Sequence, residues 1–448
     1  IIKPAVDCIA ATYELAGRPE YEEIMTANSH LTGKRINRFC HVHQSIDELV
    51  SKSKMGRMLG AYTGSCFQRC VGMDALNALS MVTYDIDRKY GTRYNERFLK
   101  YLGYVQDEDL VCCGAMTDAK GDRSRRPAEQ ADPDQYLRVV EERADGIIVR
   151  GGKLHQTGAV NSHEIICMPT RAMREEDKDY AISFALPSDT RGIIYIYGRQ
   201  SCDTRKMEGG NIDAGNVLYG GQECMIIFDD VIVPWERVFM YKEYEFAIDL
   251  VEKFASYHRQ SYACKSGIGD ALIGASQLVA EYNGISKAPH IRDIITEMVQ
   301  LNETMMCCSL ACAYEGHREP SGTYYVNTLW ANVSKLNVTR FPYDISRLAQ
   351  EIAGGSLVTM PSEKDLRDTE IGKYVAKFLK GVDDVGAEDR MRMLRLIENI
   401  TMGTGAVCYL TESMHGAGSP RSQKIMIARR ADIDSMKRAA KRLCGIEP

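Results

Sequence analysis

The sequence lacks the features that mark several large classes of protein. No apolar run approaches the roughly 20 residues that a membrane-spanning helix needs, and no secretory or transit segment is recognisable. Positive charge is not in excess, because 56 Lys and Arg stand against 61 Asp and Glu and give a net charge of −5. We therefore expect a cytoplasmic protein that binds neither membranes nor nucleic acids.

Short motifs for several kinds of chemistry are missing as well. There is no P-loop, no nucleophile elbow and no convincing zinc-binding spacing. Gly267-Ile-Gly269 resembles part of a dinucleotide-binding fingerprint, but the third glycine is missing and the segment follows a predicted helix instead of a strand. Other residues must therefore carry the function.

Cysteine, by contrast, is abundant. The 448 residues include 15 Cys, an odd number with irregular spacing and two adjacent pairs, Cys112–Cys113 and Cys307–Cys308. A secreted disulfide framework is usually short, even-numbered and rich in loops. With 44 % hydrophobic and 26 % charged residues, the chain has the composition of a globular protein. We expect a reduced intracellular protein in which most cysteines are buried apolar side chains and a few bind a metal or a cluster.

The residue pattern changes twice along the chain. Residues 1–110 have helical patterns, and Ser45 with Glu48 three residues later predicts a helix start. Residues 111–240 are richer in glycine, proline and β-branched residues, which is typical of strands and tight turns. Helical patterns return over 241–448. The sequence therefore predicts an α+β fold with a helical N-terminal domain (1–110), a β middle domain (111–240) and a C-terminal helical bundle (241–448).

Individual elements can be placed within this order from the same patterns. Pro234 is expected to end the last strand of the middle domain. The expected helices cover 59–79, 81–102, 243–282, 291–316, 322–353 and 387–411, and the expected strands cover 147–150, 180–186, 192–197 and 223–233.

Cys66-Phe-Gln-Arg-Cys70 lies in a predicted helix, where residues four apart share a face. Two thiols at this spacing suit an iron–sulfur cluster or another soft metal, but they also occur as core side chains. Cys308-Ser-Leu-Ala-Cys312 has the same spacing among small apolar neighbours, and we interpret that pair as core. Gln68 and Arg69 distinguish the first pair, because polar side chains beside paired thiols are costly to bury without a role. Spacing alone leaves both interpretations open.

The densest cluster of reactive side chains runs from His258 to Lys265. His258, Tyr262, Cys264 and Lys265 lie within eight residues on a predicted helix. His258 and Tyr262 are four residues apart, so they share a helix face and together offer a base or ligand and an acid. A structural role for the histidine is the alternative.

Three further segments combine polar residues with glycine or sit in an apolar strand. The loop Met116–Arg123 could surround a phosphate or a ring system, or it could be a solvated turn, and His155-Gln156-Thr157 belongs to a second such loop between strands. Glu223 begins an apolar strand, an unusual place for an acid unless it is paired or functional. Glu412–Pro420 forms a polar, glycine-rich turn after a helix.

These segments together resemble the 4-hydroxybutyryl-CoA dehydratase family, in the same order and over nearly the whole chain. The resemblance implies an acyl-CoA dehydrogenase-like fold and a homotetramer built as a dimer of dimers. It also implies FAD and a [4Fe–4S] cluster held by three Cys and one His. The matching segments are 64–74, 116–123, 155–158, 196–205, 257–262, 339–343 and 411–420.

Site residues follow from the resemblance position by position. The implied cluster ligands are Cys66, Cys70, His258 and Cys264. The implied substrate-side residues are Gln68, Glu223, Tyr262, Lys265 and Glu412. The implied flavin-binding residues are Met116, Thr117, Asp118, Lys120, Gly121, Asp122, Arg123, His155, Gln156 and Thr157, and Gln350–Gly355 would meet the nucleotide part of FAD across a subunit interface.

The implied reaction removes water from 4-hydroxybutyryl-CoA to give crotonyl-CoA, with a related shift of the double bond of vinylacetyl-CoA. The hydrogen lost from C3 is not acidic, because it is β to the thioester. The resemblance implies that a base takes the C2 proton, that a transient one-electron step with flavin makes the C3 hydrogen acidic, and that the cluster acts as a Lewis acid on the leaving hydroxyl. His258 would serve as both weak ligand and base, and Tyr262 would protonate the leaving group.

One spacing departs from the family. Only Ala263 separates Tyr262 from Cys264, where the family has two residues. At about 100° per residue, a cysteine six positions after His258 lies roughly 120° away on a helix. Binding by both residues then requires a bulge, a kink or a helix that ends between them, unless a residue has been lost from the chain. Two alternatives stay open: a flavin-dependent aromatic monooxygenase, which shares the fold and lacks the cluster, and a cluster-free, non-catalytic paralogue.

Overall fold

Helices, then strands, then helices follow one another along the chain in the computed structural model, which describes residues 2–199 and 204–446. The class is α+β, as the sequence predicts. Of the segment 196–205 that resembles the family, residues 200–203 lie outside the described residues. The described part of the chain has no helix that combines the length and apolar character needed to cross a bilayer.

The N-terminal part of the chain folds mainly into helices. Ser45 accepts a hydrogen bond from the Glu48 N–H and caps α3, as predicted. The predicted helix over 59–79 is wrong, because Gly64 (φ 56°) ends α3 in the left-handed conformation and α4 starts only at Cys70. Gly91 ends α4 in the same way, within the predicted helix 81–102. The elements are α1 (Lys3–Ala16), α2 (Glu22–Met25), β1 (Thr26–Asn28), β2 (Arg35–Asn37), α3 (Ile46–Thr63), α4 (Cys70–Tyr90) and α5 (Tyr94–Asp107).

Two four-stranded sheets form the middle of the chain. One has the order β4-β5-β9-β8 and is antiparallel, and the other has the order β10-β7-β6-β3 with the β3–β6 pair parallel. Their apolar side chains share one core with α4 and α5. The predicted strands are confirmed, and β9 ends at Pro234 as expected. The strands are β3 (Cys112–Ala115), β4 (Arg138–Glu142), β5 (Gly146–Thr157), β6 (Glu164–Cys167), β7 (Ile182–Pro187), β8 (Ile193–Tyr197), β9 (Glu223–Pro234) and β10 (Val238–Tyr241).

The C-terminal region is helical but more interrupted than the sequence predicts. The expected helices 243–282, 322–353 and 387–411 each break. Short turns, and a π-helix over Val407–Thr411, separate the pieces. The elements are α6 (Ala247–Ser261), α7 (Cys264–Tyr282), α8 (Pro289–Tyr314), β11 (His317–Arg318), β12 (Tyr324–Tyr325), α9 (Thr328–Val338), α10 (Phe341–Ala353), α11 (Ser356–Thr359), α12 (Glu363–Arg367), α13 (Gly372–Phe378), α14 (Ala387–Thr401), α15 (Glu412–His415), α16 (Pro420–Arg430) and α17 (Ile433–Cys444).

Close contact between α3 and α7 joins the two helical regions. A Cβ on Gly267 would lie 1.9 Å from the Arg57 carbonyl oxygen, and one on Gly60 would lie 2.2 Å from that of Cys264. The Gly267-Ile-Gly269 pattern therefore serves helix packing in this fold. Ion pairs from Arg57 to Asp270 and Glu303 hold the same contact at its edge.

The described cysteines are all free thiols, and most are buried, in agreement with the sequence. Cys312 lies in the core, as predicted for the Cys308/Cys312 pair. Cys308, one turn earlier on α8, is only half-buried.

Candidate active site

The loop between α3 and α4 brings Cys66, Gln68 and Cys70 into the interior. This corrects the prediction that Cys66 and Cys70 share a helix face: Cys66 lies in the loop and Cys70 is the first residue of α4. Gln68 has a left-handed backbone (φ 60°), which few non-glycine residues adopt outside functional sites. Its amide is buried, donating to the Gln222 carbonyl (3.2 Å) and accepting from Asn161 (3.2 Å).

The break between α6 and α7 resolves the spacing problem around Cys264. α6 ends at Ser261, Tyr262 and Ala263 form a turn, and α7 begins at Cys264. The helix therefore ends between His258 and Cys264, which is one of the arrangements that the short spacing requires. Cys264 and Cys70 then lie in the same apolar cluster.

His258 is held by a buried carboxylate. Its Nδ1 lies 2.8 Å from Oδ2 of Asp74, and its ring stacks on Phe254 with 5.6 Å between ring centroids. Asp74 is fully buried, with Lys52 Nζ 2.7 Å away. Burial alone would raise the pKa of Asp74, but Lys52 and the hydrogen bond with His258 hold that pKa below its usual range. The second ring nitrogen, Nε2, makes no hydrogen bond within the described residues.

The thiols and His258 fit an iron–sulfur cluster by their chemistry. Burial raises the pKa of the Cys66 and Cys70 thiols well above its ordinary value, and nearby acidic groups and thiols raise it further. Both therefore need a bound cation to ionise. No group of three or more His, Cys, Asp or Glu among the described residues converges on one metal-ion position. The ligands of a four-iron cluster bind separate iron atoms, so such convergence is not required of them.

A pair of carboxyl groups lies beside the thiols. Glu223, the first residue of β9, is paired across the sheet with Thr157, whose hydroxyl donates to it (2.8 Å). Burial raises the pKa of Glu223 well above its ordinary value, and the neighbouring Glu412 raises it further. Glu412 instead pairs with Lys265 Nζ at 2.7 Å. Burial opposes a charge on Lys265, but Glu412 raises its pKa well above the ordinary value. Within this pair of carboxyl groups, the protonated form of Glu223 is therefore favoured.

Tyr262 lies between His258 and two lysines. The His258 ring meets it edge-on at 5.3 Å, and Lys335 and Lys265 lie 4.4 and 5.5 Å from its ring centroid. Gly416 leaves room for the phenol, because a Cβ there would fall 1.6 Å from its oxygen. Burial raises the pKa of Tyr262 well above its ordinary value, so the phenol keeps its proton.

The predicted flavin segments lie against each other. The Leu154 N–H donates to the Thr117 carbonyl (2.8 Å), and Gln156 donates to the same oxygen (3.3 Å). His155-Gln156-Thr157 is the bulged end of β5, not the loop that the sequence predicts, because β9 still pairs with Gln156 and Thr157.

The charges around the predicted flavin segments 116–123 and 155–157 suit a bound anionic group. Lys120 and Arg123 form no ion pair within the described chain. Burial lowers the pKa of His155, and Lys120 and His415 lower it further. The excess positive charge suits a diphosphate or a reduced flavin ring. Asp118 differs from the other predicted residues, because it is buried in an ion pair with Lys153 (2.7 Å).

Sequence reasoning missed four residues of this site. Asp74 follows Cys70 by four positions, a helical spacing that could have identified it. Lys52 and Lys335 carry no local signal, because distant parts of the fold bring them in. Ser413, whose carbonyl accepts from Lys335 Nζ, lies within the matching segment 411–420 beside Glu412. Gln350–Gly355 lies at the end of α10 and is not joined to the flavin segments by any hydrogen bond or ion pair seen in residues 2–199 and 204–446.

Comparisons with known proteins show the family of this chain. The family model "4-hydroxyphenylacetate 3-hydroxylase N terminal" matches residues 1–240, and its C-terminal counterpart matches residues 247–445. The chain is 56 % identical over 457 residues to the 4-hydroxybutyryl-CoA dehydratase/vinylacetyl-CoA-Δ-isomerase of Clostridium aminobutyricum, covering 100 % of this chain and 93 % of that protein. The chain belongs to the 4-hydroxybutyryl-CoA dehydratase family. An oxygen-tolerant archaeal 4-hydroxybutyryl-CoA dehydratase from N. maritimus superposes with a TM-score of 0.98 and 54 % identity, covering 100 % of this chain and 89 % of that chain.

Solved structures of more distant sequence show which other proteins share this fold. The oxygenase component of 4-hydroxyphenylacetate 3-monooxygenase, solved with FAD, matches with a TM-score of 0.84 at 23 % identity over 97 % of this chain and 90 % of that one. Butyryl-CoA dehydrogenase from Megasphaera elsdenii matches with 0.52 at 13 % identity over 94 % and 88 %. The fold is therefore closer to the oxygenase, and the relation to acyl-CoA dehydrogenases is distant.

Proposed function

We propose that this chain converts 4-hydroxybutyryl-CoA to crotonyl-CoA and shifts the double bond of vinylacetyl-CoA, as a lyase with isomerase activity. The dehydratase and isomerase activities of the Clostridium relative support the reaction, and 56 % identity over the whole chain carries the inference. The observation in the structure that favours it is a buried cluster of side chains that contains three thiols, the His258 imidazole, Glu223 with its raised pKa and the Lys265–Glu412 pair.

FAD and a [4Fe–4S] cluster are the proposed cofactors. The fold shared with an oxygenase solved with FAD supports the flavin, and Lys120 and Arg123, which form no ion pair with the residues that the structure describes, would face its charge. Cys66, Cys70, Cys264 and Nε2 of His258 would bind the cluster. When bound, the two groups would supply transient one-electron transfer and Lewis acidity toward the leaving hydroxyl.

The chain's own residues would then handle the protons. His258, beside Tyr262, would be the base for the activated C2 proton, through the same Nε2 that would otherwise hold the cluster. Tyr262 keeps its phenol proton and would donate it to the departing 4-hydroxyl. Lys265 holds Glu412 in place, and protonated Glu223 could donate a hydrogen bond to the thioester end of the substrate without adding negative charge to the enclosure.

The assembly and domain division are part of the proposal. We propose a homotetramer of the reduced cytoplasm, with domains over 1–110, 111–240 and 241–448. The FAD nucleotide would meet Gln350–Gly355 of a neighbouring subunit.

An anaerobic assay tests this function. Purified protein should contain flavin, iron and sulfide and should form crotonyl-CoA from 4-hydroxybutyryl-CoA. Protein with flavin but no iron that hydroxylates a phenol with reduced flavin would support the aromatic monooxygenase instead. Inert protein without either cofactor would indicate a non-catalytic paralogue, and iron-containing protein that only isomerises vinylacetyl-CoA would indicate a dedicated isomerase.

Two buried cysteines on helices give a matched pair of variants. Cys264→Ala should lose most of its iron and its dehydratase activity, because a ligand is removed. Cys312→Ala removes an equally buried thiol from the core of α8 and should keep both. Equal iron content in the two variants, measured per folded chain, would contradict the assignment of Cys264.

A further inference from the structure

Asp74 is the centre of a buried polar network that links three helices. It lies on α4, one turn after Cys70, and is fully buried. Lys52 of α3 and His258 and Ser261 of α6 all point at its carboxylate. The distances are 2.7 Å from Lys52 Nζ to Oδ1, 2.8 Å from His258 Nδ1 to Oδ2, and 2.8 Å from Ser261 Oγ to Oδ2.

The Asp74 carboxylate has more hydrogen-bonding partners than a buried ion pair requires. Lys52 is itself buried and donates to the Tyr257 carbonyl (3.0 Å). Its Nζ also lies 4.7 Å from the centroid of the Tyr257 ring. Two charges removed from water are expensive even when paired, and an apolar pair of the same volume often stabilises a core as well. The placement of Asp74 between Lys52 and the His258 ring therefore indicates a task at that ring.

The geometry fixes which ring nitrogen faces the site. An ionised carboxylate only accepts hydrogen bonds, so Nδ1 of His258 carries the proton at this contact. Nε2 on the opposite side of the ring then has its lone pair free. Phe254 stacked on one face and Tyr262 against the edge restrict rotation of the ring.

We propose that Asp74, held in place by Lys52, is a positioning residue that orients His258 and fixes its tautomer so that Nε2 can bind iron. The inference rests on the proposed function for the identity of the metal. Loss of a carboxylate that accepts a hydrogen bond from a ligating histidine typically lowers metal affinity about 10- to 100-fold.

The experiment compares iron retention in three variants of the full-length protein. Iron release to a chelator is followed anaerobically from reconstituted protein, with flavin content and thermal unfolding as checks on folding. Asp74→Asn should release iron at least about tenfold faster than the wild type. The double variant Lys52→Met/Asp74→Asn removes both charges and serves if the single variant fails to fold. Ser261→Ala removes one hydrogen bond to Asp74 without touching His258, and its iron release should stay close to that of the wild type.

The outcomes separate this inference from the proposed function. Wild-type release rates in folded Asp74→Asn or in the double variant would overturn it, and so would equal acceleration in Ser261→Ala, which would indicate general loosening. If the wild type binds no iron, the proposed function fails. Crystal structures of metal-free wild type and Asp74→Asn then decide the inference: a single His258 ring orientation in the wild type that is lost in the variant supports it, and an unchanged ring overturns it.

Discussion

At the scale of residues, the site places two carboxyl groups side by side in different surroundings. Glu223 accepts from the Thr157 hydroxyl and lies beside Glu412, whereas Glu412 has a lysine 2.7 Å away. Burial and the neighbouring Glu412 raise the pKa of Glu223 well above its ordinary value, so its protonated form is favoured. A carboxyl group that favours its protonated form is useful in a site that must move protons.

This arrangement predicts a pH-dependent effect of Glu223→Gln on stability. Folding raises the pKa of Glu223, so the unfolded chain loses this proton at a lower pH than the native state does. The native state therefore loses stability as pH rises from the unfolded-state pKa to the folded-state pKa. Glutamine cannot ionise, so the variant should gain stability relative to the wild type as pH rises above the ordinary glutamate pKa of 4.5. Thermal unfolding across that range measures the difference.

The matched control is Glu315→Gln, at an exposed position after α8. It should show no such trend relative to the wild type. A stability difference between Glu223→Gln and wild type that stays constant with pH would contradict the protonated state of Glu223.

At the scale of elements, the breaks in the helices decide the site. The gap between α3 and α4 holds Cys66 and Gln68, and the gap between α6 and α7 separates His258 on α6 from Cys264 at the start of α7. The π-helix Val407–Thr411 precedes Glu412, and Lys265 donates to the Cys408 carbonyl within it. π-Helical turns are frequent at functional sites. The proposed cluster ligands therefore lie in or near the breaks between helices.

Close packing of α3 on α7 predicts the effect of Gly60→Ala. The added Cβ would lie 2.2 Å from the Cys264 carbonyl oxygen, a backbone atom that cannot move without displacing the start of α7. We expect a loss of about 1–3 kcal/mol in the free energy of unfolding, together with weaker iron retention. Denaturant unfolding and iron analysis measure the two effects.

Gly274→Ala on α7 is the control, because nothing lies within 4 Å of its Cβ position. That variant should gain up to about 1 kcal/mol through helix propensity. Similar behaviour of the two variants would show that the close approach at Gly60 is not under constraint.

At the scale of the whole molecule, the proposed cluster site joins parts of the chain that are distant in sequence. Cys66 and Cys70 come from the N-terminal helices, and His258 and Cys264 come from the C-terminal region. The packing of α3 against α7 brings these N-terminal and C-terminal residues together. A group bound by all four would therefore tie the two helical regions to each other.

Removal of iron should consequently lower the thermal stability of the whole protein. A ligand that binds only the native state stabilises it by mass action, so chelator-treated protein should unfold at a lower temperature than loaded protein. Anaerobic calorimetry of both forms measures the shift. The shift should vanish in Cys264→Ala, and a shift of the same size in that variant would indicate an effect of the chelator alone.

Much of this protein could be predicted from its sequence. The α, β, α order followed from residue patterns, since helical and strand periodicity are local properties. The strands of the middle region and the cap at Ser45 follow for the same reason. Local pattern failed at the helix breaks near Gly64 and Tyr262, because polar and apolar residues continue there with helical spacing although the backbone turns.

The tertiary structure alone decided which polar groups meet. The sequence by itself determined the fold class, the free cysteines and, through family-like segments, the residue types of the site. It could not pair Asp74 with Lys52 and His258, or Glu412 with Lys265, because these contacts join residues more than 20 and up to about 200 positions apart. Protonation follows from those contacts, since burial and neighbouring charges, not residue identity, determine where each proton resides.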